Sequence, residues 1–296
     1  MKEIIYMLEF KNIEIKDIKT YTEFIKNNGE FSCENTFVNL LIWQCKYNNM
    51  IAVNNGQVFI KNGLGEREIF RLPAGGDLKT GIELIREYCG DRKPVFWSPD
   101  GPLFETFSKL YDNEYAITEV RDSFEYIYLR ENLAELKGKK FHSKRNHINS
   151  FSKKYDWHYE SISEKNIADI RLCADKWYKE KADKTDEDML CEKQGLNMIL
   201  SNMEVLGVKG GAIYVDGKVI AFTVGSPVNG EVFDIHIEKA LAEYAEGYTI
   251  INREFAKNEL SDYKYINRED DMGIEGLRKA KLSYNPDILL KKYVIR

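Results

Sequence analysis

The chain has 296 residues, enough for two domains of ordinary size. Hydrophobic residues make up 43% of it, charged ones 31% and aromatic ones 12%, which excludes a disordered chain and permits a large core. With 43 Lys and Arg against 48 Asp and Glu, the net charge of −5 gives no overall attraction for DNA or an anionic membrane.

The opening stretch MKEIIYMLEFKNIEI lacks the apolar run of a signal peptide, and no run of about 18 uncharged apolar residues occurs anywhere. A cytoplasmic protein is the expectation. The five cysteines are odd in number, widely spaced and without a CxxC pair, so free thiols in a reducing compartment are expected. Four histidines form no HExxH or HxxxH cluster, so no metal is expected.

In chain order, 15–28 and 34–47 read as helices, and 50–53, 57–60 and 67–72 as strands, the first two joined at Asn54-Asn55-Gly56. An amphipathic helix over 77–89, a buried strand over 93–98, a helix over 102–111 and closing strands over 116–120 and 123–129 follow. The charged stretch 130–140 is the expected boundary, dividing the chain into domains 1–133 and 134–296. Within and beside it Lys137, Lys139, Lys140, Lys144 and Arg145 crowd together, either as an anion site or as a solvated helix face. Apolar stripes at Ile148-Phe151-Tyr155, Ile167-Ile170-Cys173-Trp177 and Leu196-Ile199-Met203 predict three helices. Strands over 208–215, 218–227 and 231–238 form a meander whose Asp216-Gly217 and Asn229-Gly230 turns suit the positive φ of type I′ hairpins. A helix over 242–260, a strand over 263–267, a short helix and a last strand complete the chain.

This order, helices, three-stranded meander, helix, strand, resembles the GCN5-related acetyltransferase (GNAT) fold, and its fainter repeat in the first half resembles the Fem-type peptidyltransferases. The run Tyr265-Ile-Asn-Arg-Glu-Asp-Asp-Met-Gly-Ile-Glu-Gly-Leu-Arg-Lys-Ala-Lys-Leu-Ser-Tyr-Asn-Pro286 is sharper, with Ile235-His-Ile-Glu-Lys239 and Gly247-Tyr-x-x-Ile-Asn-Arg-Glu-Phe255 upstream of it. Together they resemble the DUF2156 family, related to the C-terminal domain of phosphatidylglycerol lysyltransferases. The resemblance implies an α+β (mixed α/β) fold: two tandem GNAT-like, acyl-CoA N-acyltransferase-type domains, each a mostly antiparallel sheet flanked by helices. It also implies acyl or aminoacyl transfer to an amine or hydroxyl acceptor, with the active site in the second domain. In those enzymes the donor is aminoacyl-tRNA and the acceptor a lipid. A functionally important lysine of their motif falls on Lys281; the motif's next lysine is Ser283 here, and their membrane-spanning domain has no counterpart.

Strand periodicity puts Asp234, His236 and Glu238 on one face, which in a covered central strand must line a cavity or be paired. His236 is then a general base, with Glu238 the alternative, or else a buried hydrogen-bonded histidine. At the start of the following helix Gly247 matches the small residue of a diphosphate-binding loop, although Glu246 would repel a diphosphate. Tyr248 is a leaving-group acid or part of the core. Asp271 suits an N-cap for a helix over 274–279 while Asp270 orients an amine. Arg268, Arg278 and Lys281 offer positive charge to a donor phosphate or oxyanion, or form ion pairs. The expected donor is acyl-CoA or aminoacyl-tRNA, used as a substrate with no cofactor required; contact with a membrane surface is left open. The alternative function is a non-catalytic ligand-binding protein that retains the fold.

Overall fold

A computed structural model of the chain describes residues 7–25, 29–181 and 187–296. Positions 26–28, the end of the helix expected over 15–28, lie outside the described residues, as do positions 1–6 of the opening stretch. Fourteen strands are described. In chain order they are β1 (Lys11–Asn12), β2 (Met50–Asn54), β3 (Gln57–Asn62), β4 (Ile69–Arg71), β5 (Phe96–Pro99), β6 (Ile117–Glu119) and β7 (Glu125–Leu129). There follow β8 (Trp157–Ser161), β9 (Lys209–Val215), β10 (Lys218–Pro227), β11 (Val232–Ala240), β12 (Tyr265–Asn267), β13 (Ile288–Leu290) and β14 (Lys292–Ile295).

They form two seven-stranded, mostly antiparallel sheets, in the orders β1-β2-β3-β4-β5-β14-β6 and β13-β7-β12-β11-β10-β9-β8. The division between sheets differs from the expected boundary after residue 133. β7, expected to close the first half, lies inside the second sheet, and the final strand β14 lies inside the first. Nor is 130–140 a linker. Arg130–Glu135 is a helix whose Leu133 and Ala134 are buried, with Leu136 beside them, in the core of the second sheet. Charged residues on the exposed face hid a short amphipathic helix.

The meander forms as the sequence indicates, but only one of its turns has the expected geometry. Asp216 and Gly217 adopt φ values of 49° and 71°, while Asn229 and Gly230 are not in the left-handed region. There the Asn229 side chain accepts hydrogen bonds from the backbone N–H of Glu231 (2.8 Å) and Val232 (3.0 Å), so an Asx-type turn shapes the loop. The helix Gly247–Asn258 packs on β9, β10 and β11 through Ile250, Ile251 and Phe255. A Cβ on Gly247 would lie 3.2 Å from both Ala240 Cβ and Ile220 Cδ1, so the helix packs closely on the sheet there and an added methyl would need both to give by a few tenths of an ångström.

Cys45 and Cys191 are bonded to each other, which corrects the expectation of free thiols throughout; their Cα atoms are 5.9 Å apart. The helices Gln44–Tyr47 and Glu187–Leu200 pack together and carry the two cysteines into register, and a separation of 146 residues conceals that pairing in the sequence. Cys33, Cys89 and Cys173 are free and buried.

Candidate active site

β11 and β12 run parallel but pair at only three positions, Val232 with Tyr265, Phe233 with Ile266 and Asp234 with Asn267. β12 then ends while β11 continues to Ala240, so His236 and Glu238 face residues 268–271 across an unpaired gap. On the other side of β11 the pairing with β10 carries a bulge. The β10 register slips between Val224 and Gly225, which pair with Ile237 and Ile235 and leave His236 opposite the slip. A Cβ on Gly225 would stand 2.1 Å from the Asp234 carbonyl oxygen, so this close approach needs glycine. The next residue, Ser226, places its Oγ 2.8 Å from His236 Nε2.

His236 is buried, its Nδ1 3.0 Å from Asp234 Oδ2 and 3.4 Å from Glu269 Oε1. Asn39, from the first half of the chain, donates to the same Glu269 oxygen at 3.3 Å. Lys281 Nζ donates to the carbonyl oxygens of Arg268 (2.5 Å) and Asp270, fastening the backbone on both sides of Glu269. A second layer lies behind. Glu125 on β7 accepts from Ser32 Oγ (2.7 Å), the Cys33 N–H (3.0 Å), Asn267 and Lys292 Nζ (2.5 Å), and Lys292 also pairs with Glu34 at 2.6 Å. Five acidic side chains, Glu34, Glu125, Asp234, Glu269 and Asp270, thus adjoin three basic ones, His236, Lys281 and Lys292.

That imbalance shows in the proton affinities. Burial, reinforced by Asp234, pushes the Glu269 carboxyl up to about 7, and burial raises Asp270 to about 6. Burial raises Asp234 as well. Burial alone would lower the His236 imidazole, but Asp234 and Glu269 outweigh it and lift it to about 9. Burial, with Arg268 close by, lowers Lys281. Burial alone would raise Glu125, but Lys292 together with the hydrogen bonds from Cys33 and Asn267 holds it below the usual carboxylate range.

The structure therefore brings His236, Asp270 and Lys281 to one place and commits several other sequence candidates to ion pairs. Glu238 pairs with Arg268 at 2.7 Å and accepts from Asn252 at 3.3 Å. Arg268 lies 4.8 Å from the Tyr284 ring centroid and keeps Nη1 buried without a hydrogen-bond partner. Arg278 does not face the gap. It binds Asp271 through Nε (2.9 Å) and Nη2 (2.8 Å), and Asp122 at 2.7 Å. Asp271 is not the N-cap of the last helix, which spans Glu275–Leu282 with Ile274 at its cap. Its carboxylate accepts instead from Arg278, Arg121, Tyr126 and the Gly273 N–H, which locks the loop. Gly247 is a packing residue of the main helix, and the Tyr248 hydroxyl accepts from Trp177 Nε1 at 3.1 Å. Glu269, Glu125, Lys292, Glu34 and Cys33 carried no individual assignment in the sequence. The available signal was a lone acid in the apolar run FEYIYL and a lysine opening the strand KYVI, each a charge on a buried strand. Although no metal is expected from the sequence, Cys33 Sγ and one oxygen each of Asp234 and Glu269 lie within 4.8 Å of one another.

A family model described as phosphatidylglycerol lysyltransferase, C-terminal, matches residues 26–296. A conserved protein of unknown function from Bacteroides thetaiotaomicron is 38% identical, covering 98% of this chain and 99% of that one, with a TM-score of 0.91. The structure of L-PGS from Bacillus licheniformis superposes with a TM-score of 0.62 at 15% identity, over 99% of this chain and 93% of that one. FemX does so with 0.60 at 7% identity, over 97% and 96%. At such identities the likeness is one of fold. An uncharacterized protein of Mycoplasmoides gallisepticum is 24% identical over 177 residues, which are 59% of this chain and 56% of that protein.

Proposed function

We propose, for a chain that belongs to the phosphatidylglycerol lysyltransferase C-terminal family, that it is an aminoacyl or acyl transferase working in the gap between β11 and β12. The observation that carries this reading is the meeting of Asp234, His236, Glu269, Asp270 and Lys281 where the two strands separate. A net-acidic buried site suits an amine substrate, whose ammonium supplies the missing positive charge.

In this reading the reacting amine loses a proton to Glu269 and its nitrogen attacks the activated carbonyl. The C–N bond forms, the bond from carbonyl carbon to the leaving oxygen or sulfur breaks, and the proton leaves with that group. Glu269 replaces His236 as base because an imidazole lifted to about 9 is already protonated at neutral pH, whereas a carboxyl near 7 is poised to exchange. Protonated His236 orients Glu269, and the buried Nη1 of Arg268, which makes no hydrogen bond, is available as a donor to a developing oxyanion. Lys281 positions the loop through its two carbonyl contacts. An aminoacyl ester is favoured over acyl-CoA as donor, since Glu246 caps the helix whose N-terminus would receive a diphosphate. The family's description as a phosphatidylglycerol lysyltransferase agrees with that choice.

The test incubates the purified chain with aminoacyl-tRNA or acetyl-CoA and a panel of primary amines, following amide formation by mass spectrometry. Amide from aminoacyl-tRNA that is lost in Glu269→Gln supports the reading. Stabilisation by such ligands without any turnover would replace it with the ligand-binding protein, a reading favoured by the Arg268–Glu238 bridge across the gap.

A further inference from the structure

Asn39 is a polar residue on an otherwise apolar helix. It sits on Phe37–Ile42, where Phe37, Val38, Leu40 and Ile42 are buried in the core. Asn is a poor helix former, and burying its amide costs free energy unless the amide is hydrogen-bonded. Asn39 is 7% exposed, and its Nδ2 donates to Glu269 Oε1 at 3.3 Å. The second sheet aims it there. Glu125 on β7 accepts from Ser32 Oγ and the Cys33 N–H, which fixes the turn Cys33–Asn35 against that sheet. Thr36 Oγ1 then donates to the Cys33 carbonyl at 2.9 Å and accepts from the Asn39 N–H at 3.1 Å, capping the helix. β7 in turn is bonded to β12, whose last residue, Asn267, lies two before Glu269.

Glu269 is held in two different ways. Its backbone lies in the left-handed region, at a φ of 56°, which few residues with a side chain adopt. The second half of the chain and β7 fasten it there. The Glu269 N–H donates to Asn267 Oδ1 at 2.8 Å, its carbonyl accepts from the Tyr126 N–H at 3.2 Å, and Lys281 clamps the carbonyls on either side. The side chain depends on other partners. Oε1 takes the Asn39 donor and faces His236 Nδ1 at 3.4 Å. Oε2 takes no hydrogen bond among the described residues, in a side chain that keeps 20% of its surface exposed.

We propose that Asn39 is a positioning residue of the transfer site, supplied by the first half of the chain, which holds Glu269 Oε1 so that Oε2 is the oxygen presented to the amine. This rests on the reading of Glu269 as the base. The hold restricts the rotation of the Glu269 side chain, and the donated hydrogen bond favours its ionised form. The charged and titratable groups around Glu269 are Asp234 and His236 from β11, Asp270 beside it, Lys281 from the last helix and Cys33 from the turn before Asn39. Asn39 is the neutral donor added to them.

Two variants test it. Asn39→Leu keeps the size and removes the donor, while Asn39→Asp keeps the shape and sets a second carboxyl 3.3 Å from Glu269. The first readout needs no turnover: it is the pH titration of the Glu269 carboxyl carbon in the full chain labelled with ¹³C-Glu, assigned with Glu269→Gln. Asn39→Leu is expected to raise the midpoint by about one pH unit, and Asn39→Asp by more, because adjacent carboxyls resist joint ionisation. The second readout is transfer. Asn39→Leu is expected to lower kcat about tenfold or more, to leave KM within about twofold, and to carry the acid limb upward with the midpoint. A midpoint that stays in place in both variants overturns the proposal, and so does an unchanged kcat at a pH where Glu269 is ionised. Loss of kcat with the acid limb and the midpoint unmoved makes Asn39 a packing residue only, which overturns it as well. If Asn39→Leu does not fold, the midpoint in Asn39→Asp decides. An acid limb that survives Glu269→Gln, or no transfer by the native chain, removes the base reading and this proposal with it. The carboxyl titration tells that failure apart, since the midpoint still moves if Asn39 holds Glu269.

Discussion

Replacing Asp271 with Asn tests how the loop that carries Glu269 and Asp270 is held. The Asp271 side chain is fully buried and accepts from Arg278 at 2.9 and 2.8 Å, Arg121 at 3.2 Å and the Gly273 N–H at 2.9 Å. Removing one partner of a buried ion pair costs about 3–5 kcal/mol. Arg121 and Arg278 keep 39% and 30% exposure and can turn to water, and Asn still accepts a hydrogen bond, so the cost falls below that range, to about 2–3 kcal/mol. At about 2–4 °C per kcal/mol for a chain of this size, the melting temperature should fall by about 4–12 °C. The pH dependence supplies a second check. Arg278 and Tyr126 overcome burial and hold the folded carboxyl well below its unfolded value near 3.9. Its stabilisation is therefore complete above that value and is lost as pH falls through the folded one. Urea unfolding of both proteins, followed by tryptophan fluorescence, should show a gap that is flat from about pH 8 to 5 and narrows below about pH 4. A gap under about 1 kcal/mol at neutral pH, or one that widens with acid, would refute the reasoning.

Transfer should follow a bell-shaped pH profile, rising as Glu269 ionises near 7 and falling as His236 loses its proton near 9. Glu269→Gln should lower the rate by about 10²–10⁴ and erase the acid limb, and an intact acid limb rules Glu269 out as the base. Gly225→Ala should destabilise the chain by about 1–3 kcal/mol, because the new methyl meets the Asp234 carbonyl and the bulge must open. A normal melting temperature together with an unperturbed histidine resonance would contradict it. Reducing the Cys45–Cys191 bond should cost up to about 5 kcal/mol, since it closes a loop of 146 residues. Comparing melting with and without a reductant, against Cys191→Ser, measures this, and indifference to the reductant shows that the bond adds nothing.

Much of the second sheet was legible because its signals are local. Asp216-Gly217 fixes one hairpin, period-two alternation fixes the Asp234-His236 row, and the Tyr248-Ile251-Phe255 spacing fixes the main helix, which starts only at Gly247, after a separate turn at Ala242–Tyr244. The convergence of His236 with the 268–281 segment followed from placing that row on a central strand. What was not legible is everything made by distant partners. Asn39, Glu125 and Lys292 reach the site from positions 230, 142 and 259 residues away from their partners Glu269, Asn267 and Cys33. Arg278 and Glu238 belong to the right segments, yet ion pairing commits them elsewhere, and no pattern in one sequence distinguishes a paired charge from a free one. Asn229-Gly230 shows the same limit at short range, where a side-chain hydrogen bond overrides the turn that the dipeptide favours.

The exchange of strands between the halves makes the site a product of the whole chain. β7 is bonded to β12 at Tyr265, Ile266 and Asn267 and to β13 at Ile288, Leu289 and Leu290, and it brings the buried Tyr126, Tyr128 and Glu125 with it. A fragment beginning at residue 134 therefore loses a central strand of the second sheet, exposes two unpaired edges and strips Lys292 of a carboxylate. In the other direction, β14 fills the place between β5 and β6, so a fragment ending at 133 leaves a hole in the first sheet. Neither piece should give a dispersed amide spectrum alone. A mixture of 1–133 and 134–296 restores every strand but cuts the helix Arg130–Glu135 between its buried Leu133 and Ala134, so it should fold with a lower stability than the intact chain. If 134–296 folds unaided, the second sheet closes without β7, and Glu125 and Lys292 then have no part in building the site.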